Sequence, residues 1–290
     1  MIQTVASARK WAAEELKRAK VDSPAPTADL LIAFALGWDR IRVLIHSEHP
    51  IQDEEWARLS ELIMRRAGGE PLQYLTGEKE FYGLSFRVTP QVLIPRPETE
   101  IMVEKALDLV RCHLISGTRF ADIGTGSGCI AVSIVHEIPS ATGWAVDVSA
   151  GALKVARENA IRHRVADRIL FAQSDLLECF PRNPCFNLIL CNPPYVPLKD
   201  YDSLPSEVRD HEPHEALFGG ESGLDVYRRL VPEVSSRLFE GGYLLIEAGL
   251  GQAQEVGRLV EKSRLSLQST LNDLQGIPRC LVGRKISQEK

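Results

Sequence analysis

The chain has 290 residues, of which 44% are hydrophobic and 25% are charged. These proportions are typical of a globular protein whose core needs no disulfide or metal crosslinks. The chain contains 34 Lys and Arg residues and 39 Asp and Glu residues, so its formal net charge is -5. This charge argues against a protein that coats duplex nucleic acid. We expect no membrane span and no signal peptide, and we interpret the six scattered cysteines as reduced thiols of a cytoplasmic protein.

Residues 1–75 are predicted to form a small helical-bundle domain. Apolar side chains have helical spacing in the segment from Trp11 to Leu16. A second helix is expected over Asp29–Leu36 with Thr27 as its cap, and a third helix is expected after a cap at Asp53. Basic and acidic residues nearly balance in this region, so it is not a basic nucleic-acid-binding arm.

Residues 76–98 are predicted to form a β-hairpin followed by a proline-rich linker. The hairpin is expected around Gly83, between two short aromatic and β-branched runs. The linker contains three prolines within eight residues and is therefore stiff. These prolines are Pro90, Pro95 and Pro97.

Residues 99–290 alternate between apolar strands and helices, which predicts an α/β fold with a mostly parallel sheet covered on both faces. The last two strands have no helix between them, so we expect an antiparallel hairpin at the edge of the sheet. Seven strands are predicted, over residues 119–123, 142–146, 168–173, 187–191, 242–247, 267–271 and 280–284.

A glycine-rich loop follows the first of these strands. Glycines allow a sharp turn and close approach of a ligand, and Asp147 at the end of the next strand is placed to accept hydrogen bonds from a ribose. Residue 129 is Cys, so the dinucleotide pattern is incomplete, and the spacing fits S-adenosylmethionine better. A purely structural tight turn is the alternative. The expected cofactor-binding loop comprises Gly124, Thr125, Gly126, Ser127 and Gly128.

Asp175 and Leu176 follow the third predicted strand. In such a sheet this turn lies beside the adenine, so Asp175 is a candidate acceptor for the adenine amino group. A role as a helix cap is the alternative interpretation.

The fourth predicted strand ends in Asn192-Pro193-Pro194-Tyr195. Consecutive prolines fix an extended backbone and remove two N–H donors, which leaves the Asn192 side-chain carbonyl and the Pro193 carbonyl as acceptors. This corner suits a planar –NH2 group that donates two hydrogen bonds, and Tyr195 offers it an aromatic face. We therefore predict Asn192, Pro193 and Tyr195 as catalytic residues and include Pro194 among the substrate-binding residues, while Asn192 also borders the cofactor.

Other chemistries have weaker support. The run His211-Glu212-Pro213-His214-Glu215 has no helical i, i+4 pair of histidines, because Pro213 interrupts it, so no metal site is expected. A serine-nucleophile motif is also lacking.

The motifs together resemble the peptide chain release factor glutamine N5-methyltransferases. The similar segments are Glu80–Leu84, Leu93–Glu100, Asp122–Gly128, Cys191–Tyr195, Glu212–Pro213, Ala216–Leu217, Gly219–Gly220 and Gly223–Asp225. The resemblance implies a Rossmann-like, doubly wound methyltransferase sheet that binds S-adenosylmethionine. It also implies that the helical domain recognises a release factor and that Asn192 and Pro193 hold the Gln side chain of its Gly-Gly-Gln motif.

Two alternatives remain at this point. The same acceptor corner serves an enzyme that methylates the amine of adenine or guanine in nucleic acid, although the net charge of -5 disfavours that substrate. A non-catalytic S-adenosylmethionine-binding module is the other alternative, which the intact acceptor corner disfavours. The sequence leaves no long apolar surface stripe, so a monomer is expected.

Overall fold

The computed structural model describes residues 3–112 and 117–286. Contacts divide the chain into two units, which we call the helical unit and the sheet unit. The helical unit comprises Met1–Glu78 and Pro205–His211, and the sheet unit comprises Lys79–Leu204 and Glu212–Lys290. The helical unit is thus assembled from two separate chain segments.

Twelve α-helices lie in the described residues, and none of them is long and apolar enough to cross a membrane. Their bounds are α1 Val5–Arg18, α2 Pro24–Leu36, α3 Arg40–Ile45, α4 Asp53–Ala67, α5 Leu72–Thr76, α6 Glu100–Cys112, α7 Cys129–Glu137, α8 Ala150–Arg162, α9 Ser206–Arg209, α10 His214–Leu217, α11 Asp225–Arg237 and α12 Ala253–Lys262.

Nine strands lie in the same described ranges. Their bounds are β1 Glu78–Phe81, β2 Leu84–Arg87, β3 Arg119–Ile123, β4 Thr142–Asp147, β5 Ile169–Gln173, β6 Phe186–Cys191, β7 Leu238–Glu247, β8 Leu265–Asn272 and β9 Pro278–Lys285.

Two predicted caps in the helical unit are wrong. Helix α2 begins at Pro24 rather than near Asp29, because proline at the first helical position has a suitable fixed φ and needs no N–H partner. Thr27 therefore lies inside the helix. Helix α4 begins at Asp53 itself, and Gln52 is the cap residue, with its backbone N–H donating to Glu55 Oε2 at 2.9 Å.

The helices of this unit share a continuous apolar core. Helices α1 to α5 each contribute buried apolar side chains to it, whereas the short α9 contributes none. The core includes Val5, Ala8, Leu16, Leu31, Ile32, Leu59 and Ile63.

The sheet unit contains a seven-stranded sheet within residues 119–285, in the order β5-β4-β3-β6-β7-β9-β8. The five strands β3 to β7 pair in parallel, whereas β9 is antiparallel to both β7 and β8. This arrangement confirms the predicted doubly wound sheet with an antiparallel edge hairpin. Separate apolar clusters cover its two faces, one including Phe120, Ile130 and Leu188 and the other Ile189, Tyr227 and Leu244.

The order of strands changes direction at β3 and β6. From β3 the chain proceeds outward through β4 and β5, and it then returns to the other side of β3 to form β6. Ile123, the last residue of β3, lies opposite Cys191, the last residue of β6. Ligands of open α/β sheets bind in the crevice at such a switch point, so the fold brings the glycine-rich loop and Asn192 to one place.

The hairpin predicted around Gly83 is present as β1 and β2. Tyr82 and Gly83 form its turn with φ of 50° and 71°, a combination typical of two-residue hairpin turns. Phe81 and Phe86 are fully buried in the core of the sheet unit. The hairpin therefore contributes to this core rather than acting as a free linker.

Candidate active site

A cavity of about 430 Å³ opens at the carboxyl ends of the central parallel strands. Its volume lies in the usual range for small-molecule sites. It lies wholly within the sheet unit. Of the residues predicted from sequence, the structure brings together Gly124, Thr125, Gly126, Ser127, Asp147, Asp175, Leu176, Asn192 and Pro194 in the cavity wall.

The glycine-rich loop turns sharply over the end of β3. Gly124, Gly126 and Gly128 have φ of 73°, 54° and 80°, in the left-handed region that favours glycine. A Cβ atom at Gly126 would meet no other atom within 4 Å, whereas one at Gly128 would lie 3.1 Å from Ala156 Cα on α8. The loop thus leaves space at Gly126, and Gly128 allows close packing of α7 on α8 instead of lining the cavity.

Asp122 supports the loop from below. Its Oδ2 atom accepts hydrogen bonds from Thr125 Oγ1 at 2.7 Å and from the Ala131 N–H at 3.2 Å. Its Oδ1 atom is buried and has no hydrogen-bond partner among the described residues. Burial raises the pKa of this carboxyl to about 7, despite the two hydrogen bonds that favour its charged form.

Asp147, at the end of β4, holds the loop from the side. Its Oδ2 atom accepts a hydrogen bond from the Gly126 N–H, and its Oδ1 atom accepts one from the Ser149 N–H, both at 2.9 Å. A carboxylate oxygen accepts about two hydrogen bonds, so both atoms retain capacity for a ligand. Burial raises the pKa of Asp147, and its backbone hydrogen bonds oppose that rise.

Asp175 and Leu176 line the cavity beyond the end of β5. Asp175 Oδ2 accepts a hydrogen bond from Arg229 Nη2 at 2.6 Å, in an ion pair that is about half exposed. Leu176 has a φ of 50°, an unusual value for a branched residue. The adenine contact predicted for this turn stays a prediction, and Arg229 is a neighbour that the sequence did not suggest.

Asn192 lines the cavity immediately after β6. Its Nδ2 atom donates a hydrogen bond to Thr99 Oγ1 at 3.1 Å. Thr99 Oγ1 in turn donates to Glu247 Oε2 at 2.7 Å. No sequence motif indicates a role for Thr99 or Glu247, although Glu247 ends β7, the parallel neighbour of β6.

The rest of the Asn-Pro-Pro-Tyr segment is less open to the cavity. Pro194 lines it, whereas Pro193 is buried and the Tyr195 side chain packs against the apolar cluster that includes Ile189, Tyr227 and Leu244. The backbone carbonyl of Tyr195 accepts a hydrogen bond from Gln252 Nε2 at 2.9 Å, which fixes the segment at its far end. Burial raises the pKa of Tyr195 to about 12, so its hydroxyl stays protonated at neutral pH. The roles predicted for Pro193 and Tyr195 stay predictions.

An ion pair fixes the outer wall of the cavity. Glu212, with its side chain 1% exposed, accepts hydrogen bonds from Arg96 Nη2 at 2.6 Å and from the Ile94 N–H at 3.2 Å. Glu212 therefore holds the segment that precedes α6 in place. This contact gives Glu212 a structural role in the wall of the cavity.

The cavity fits S-adenosylmethionine by the chemistry of its lining. Asp147 would offer carboxylate oxygens to a ribose diol, and the open space at Gly126 would accommodate the ligand beside the loop. Apolar side chains on the same wall, such as Val148 and Leu176, suit the faces of a purine. Asn192 provides a further polar group after the end of β6, the strand next to β3.

Fold and site together define an S-adenosylmethionine-dependent methyltransferase. Residues 101–204 match the family model described as the methyltransferase small domain, and residues 7–77 match the PrmC N-terminal domain. The structure also resembles that of the hMettl16 catalytic domain in complex with MAT2A 3'UTR hairpin 6, with a TM-score of 0.57 and 17% identity over 79% of this chain and 84% of that one. At that identity the likeness shows a shared fold alone.

Curated relatives define the family more narrowly. The release factor glutamine methyltransferase of Bradyrhizobium diazoefficiens is 40% identical over 286 residues, which cover 98% of this chain and 96% of the relative. The protein of the same name from Koribacter versatilis is 41% identical over 286 residues, covering 97% of this chain and 99% of the relative. The chain belongs to the release factor glutamine methyltransferase family.

Proposed function

We propose that this protein transfers a methyl group from S-adenosylmethionine to the side-chain amide nitrogen N5 of the Gln in the Gly-Gly-Gln motif of peptide chain release factors. The observation that carries the proposal is the placement of Asn192 in the cavity wall with its amino end bound to Thr99. Its carbonyl end is thereby left for a substrate –NH2 group. Full-length similarity to release factor glutamine methyltransferases supports the choice of substrate.

The residues act mainly by orienting the substrate amide. The nitrogen of an amide is a weak nucleophile, because its lone pair is delocalised. Acceptors at Asn192 Oδ1 and the Pro193 carbonyl would hold both of its hydrogens and stabilise the positive charge that develops on the nitrogen. S-adenosylmethionine, when bound, supplies an electrophilic methyl group on a sulfonium centre.

No strong base is required before the transfer in this proposal. The methylated nitrogen becomes acidic and then loses a proton to water. Asp147 and the loop from Gly124 to Ser127 would hold the cofactor. We assign recognition of the release factor at a distance from the Gln to the N-terminal helices, within residues 1–75.

Methyl transfer from labelled S-adenosylmethionine would test the substrate. A bacterial release factor is compared with a copy in which the Gln of its Gly-Gly-Gln motif is changed to Ala, and with DNA and RNA. We expect label on the unaltered factor alone. Label on both copies of the factor would overturn the proposal. Label on nucleic acid but not on the factor would also overturn it and would favour a base-modifying enzyme.

Asn192→Ala tests the acceptor corner. We expect the turnover number to fall by about 100-fold or more, because the substrate amide loses an orienting acceptor. Cofactor binding, measured by calorimetry, should change little and also reports that the variant is folded. Near-normal turnover in this variant would show that Asn192 is misassigned.

A further inference from the structure

We propose that Thr99 and Glu247 are positioning residues that determine which end of the Asn192 side-chain amide faces the cavity. We call Asn192, Thr99 and Glu247 the orienting chain. The inference rests on the proposed function in one respect, that the substrate needs a hydrogen-bond acceptor from Asn192. The direction of the hydrogen bonds follows from the positions of Asn192, Thr99 and Glu247.

An asparagine side chain has two ends of nearly equal shape and opposite polarity. Only its hydrogen-bond partners can determine which end points into the site. Among the described residues, the one hydrogen bond of the Asn192 side-chain amide runs from Nδ2 to Thr99 Oγ1. Thr99 is therefore the group that decides the orientation of Asn192.

A hydroxyl group by itself does not fix the orientation of Asn192, because it can either donate a hydrogen bond to Oδ1 or accept one from Nδ2. Thr99 has a single hydroxyl proton, and the structure directs it to Glu247 Oε2 at 2.7 Å. Thr99 Oγ1 is then left with lone pairs only, so it must receive a donor from Asn192. Glu247 as a carboxylate, which can only accept, thus fixes the direction of the whole chain.

The part of the orienting chain behind Asn192 is buried. Thr99 and Glu247 are each 3% exposed, so solvent cannot replace a missing partner cheaply. The backbone carbonyl of Glu247 also accepts a hydrogen bond from the hydroxyl of Tyr227 at 2.9 Å, which holds the end of β7 in place. A buried third group that orients a reactive side chain through a hydrogen bond is a recurrent arrangement in enzymes.

Protonation of Glu247 would reverse the direction of the hydrogen bonds in the orienting chain. A neutral carboxyl can donate to Thr99 Oγ1, and the Thr99 proton is then free to bond Asn192 Oδ1. Asn192 would turn its amino end toward the substrate and would no longer accept a hydrogen bond from it. Activity is therefore expected to fall as the pH is lowered through the pKa of Glu247.

The surroundings place that transition near neutrality. Burial raises the pKa of Glu247 to about 7, and the negative charge of Glu98 adds to the rise. The Thr99 hydrogen bond and the positive charges of Arg279 and Arg96 oppose it. Other titratable groups that interact with Glu247 are Cys129 on α7, Cys191 on β6, Tyr195, Tyr227 on α11 and Cys280 on β9.

The direct test observes the Asn192 amide in the intact protein without substrate. Its side-chain N–H signals in a proton–nitrogen correlation spectrum are identified by their absence in N192A. In the wild type we expect these signals to shift with pH in one transition near 7. That transition should be lost in Glu247→Gln and retained in Asp122→Asn, which removes the other buried carboxyl whose pKa is about 7.

The second test measures turnover. Thr99→Val keeps the side-chain shape but removes the hydroxyl, and we expect kcat to fall about 10- to 100-fold with little change in the KM for the cofactor. Thr99→Ser restores the hydroxyl and should recover kcat to within several-fold. In Glu247→Gln the loss of kcat on the acid side of neutrality should disappear.

The two tests separate this inference from the proposed function. A wild-type protein that leaves release factors unmodified would refute the proposed function, while the spectra would still decide the inference. Normal methylation by Thr99→Val, or a pH transition of Asn192 that persists in Glu247→Gln, would overturn the inference and leave the proposed function standing.

Discussion

Asp147 offers a sharp test of how the cavity holds its cofactor. Its carboxylate connects two backbone N–H groups in the wall, those of Gly126 and Ser149, and keeps acceptor capacity on both oxygens. Asp147→Ala removes all of these acceptors. Asp147→Asn keeps one oxygen but turns the other into an amino group that would face a backbone N–H donor.

The expected loss follows from the number of hydrogen bonds. In our proposal the two ribose hydroxyls each donate to one Asp147 oxygen. A hydrogen bond to a charged group contributes at least ~1.5 kcal/mol, so two of them contribute about 3 kcal/mol, or about 100-fold in the dissociation constant. Asp147→Asn should lose at least as much as one bond, about 10-fold, plus the cost of displacing the loop.

Titration calorimetry with S-adenosylmethionine measures these losses directly. The matched control is Asp167→Asn, the same change at an exposed position on a turn outside the cavity, which should bind like the wild type. Because burial raises the pKa of Asp147, the wild type should also lose affinity on acidification at a higher pH than an ordinary aspartate would dictate. Binding by Asp147→Ala within about threefold of the wild type would refute the assignment of Asp147 to the ribose.

Two further predictions concern stability. The pKa of Asp122 is about 7 in the folded chain, whereas the ordinary value is 3.8. Between these pH values the native state binds more protons than the unfolded state, so the free energy of unfolding falls as the pH rises, by up to about 4 kcal/mol in total. Asp122→Asn lacks this loss, so its stability relative to the wild type in urea unfolding should improve between pH 5 and 8; a constant difference would contradict the role of burial. Glu212→Ala leaves Arg96 and the Ile94 N–H without their shared acceptor and should cost about 3 kcal/mol in the same assay, whereas Glu212→Gln should cost less because it keeps an acceptor. Equal stability of these two variants would show that the acceptor is unimportant.

Much of the sheet could be predicted because its signals are local. Parallel strands buried on both faces appear as continuous apolar runs, and all seven predicted strands are present with ends that differ by a few residues. Helices α6 and α12 were not predicted individually. In α12, Gly257 interrupts the helical pattern, and a Cβ atom there would lie 3.3 Å from Leu267 Cδ2, so close packing on the sheet explains a residue that sequence reasoning treats as a helix breaker.

The caps of α2 and α4 could not be assigned correctly by residue preference alone. Several side chains near each start were suitable caps, and the choice depended on backbone geometry. Proline at position 24 allowed α2 to begin earlier, and the Gln52–Glu55 pair provided a reciprocal cap that placed Asp53 in the first turn.

The candidate site could be predicted where a short sequence motif contained both the residues that form a turn and the groups that would contact a ligand. The loop around Gly126, together with Asp147 and Asn192, is of this kind, and all of them line one cavity. Thr99 is 93 residues from Asn192 in the sequence and 148 residues from Glu247, so its hydrogen bonds to both form only in the folded chain. The general rule that ligands bind at the carboxyl ends of parallel strands would have suggested Glu247, since its neighbour Ile246 pairs with Cys191.

The divided helical unit has a consequence for synthesis and dissection of the protein. Arg66 is nearly buried and forms an ion pair with Glu207 Oε2 at 2.7 Å, and Glu207 belongs to the second segment of the same unit. During translation, this unit therefore lacks its last piece until the ribosome has passed residue 211. A fragment ending at residue 78 would likewise leave the Arg66 guanidinium without that carboxylate. No single cut in the chain yields both units whole, so a truncation at one position cannot separate the helical unit from the sheet unit.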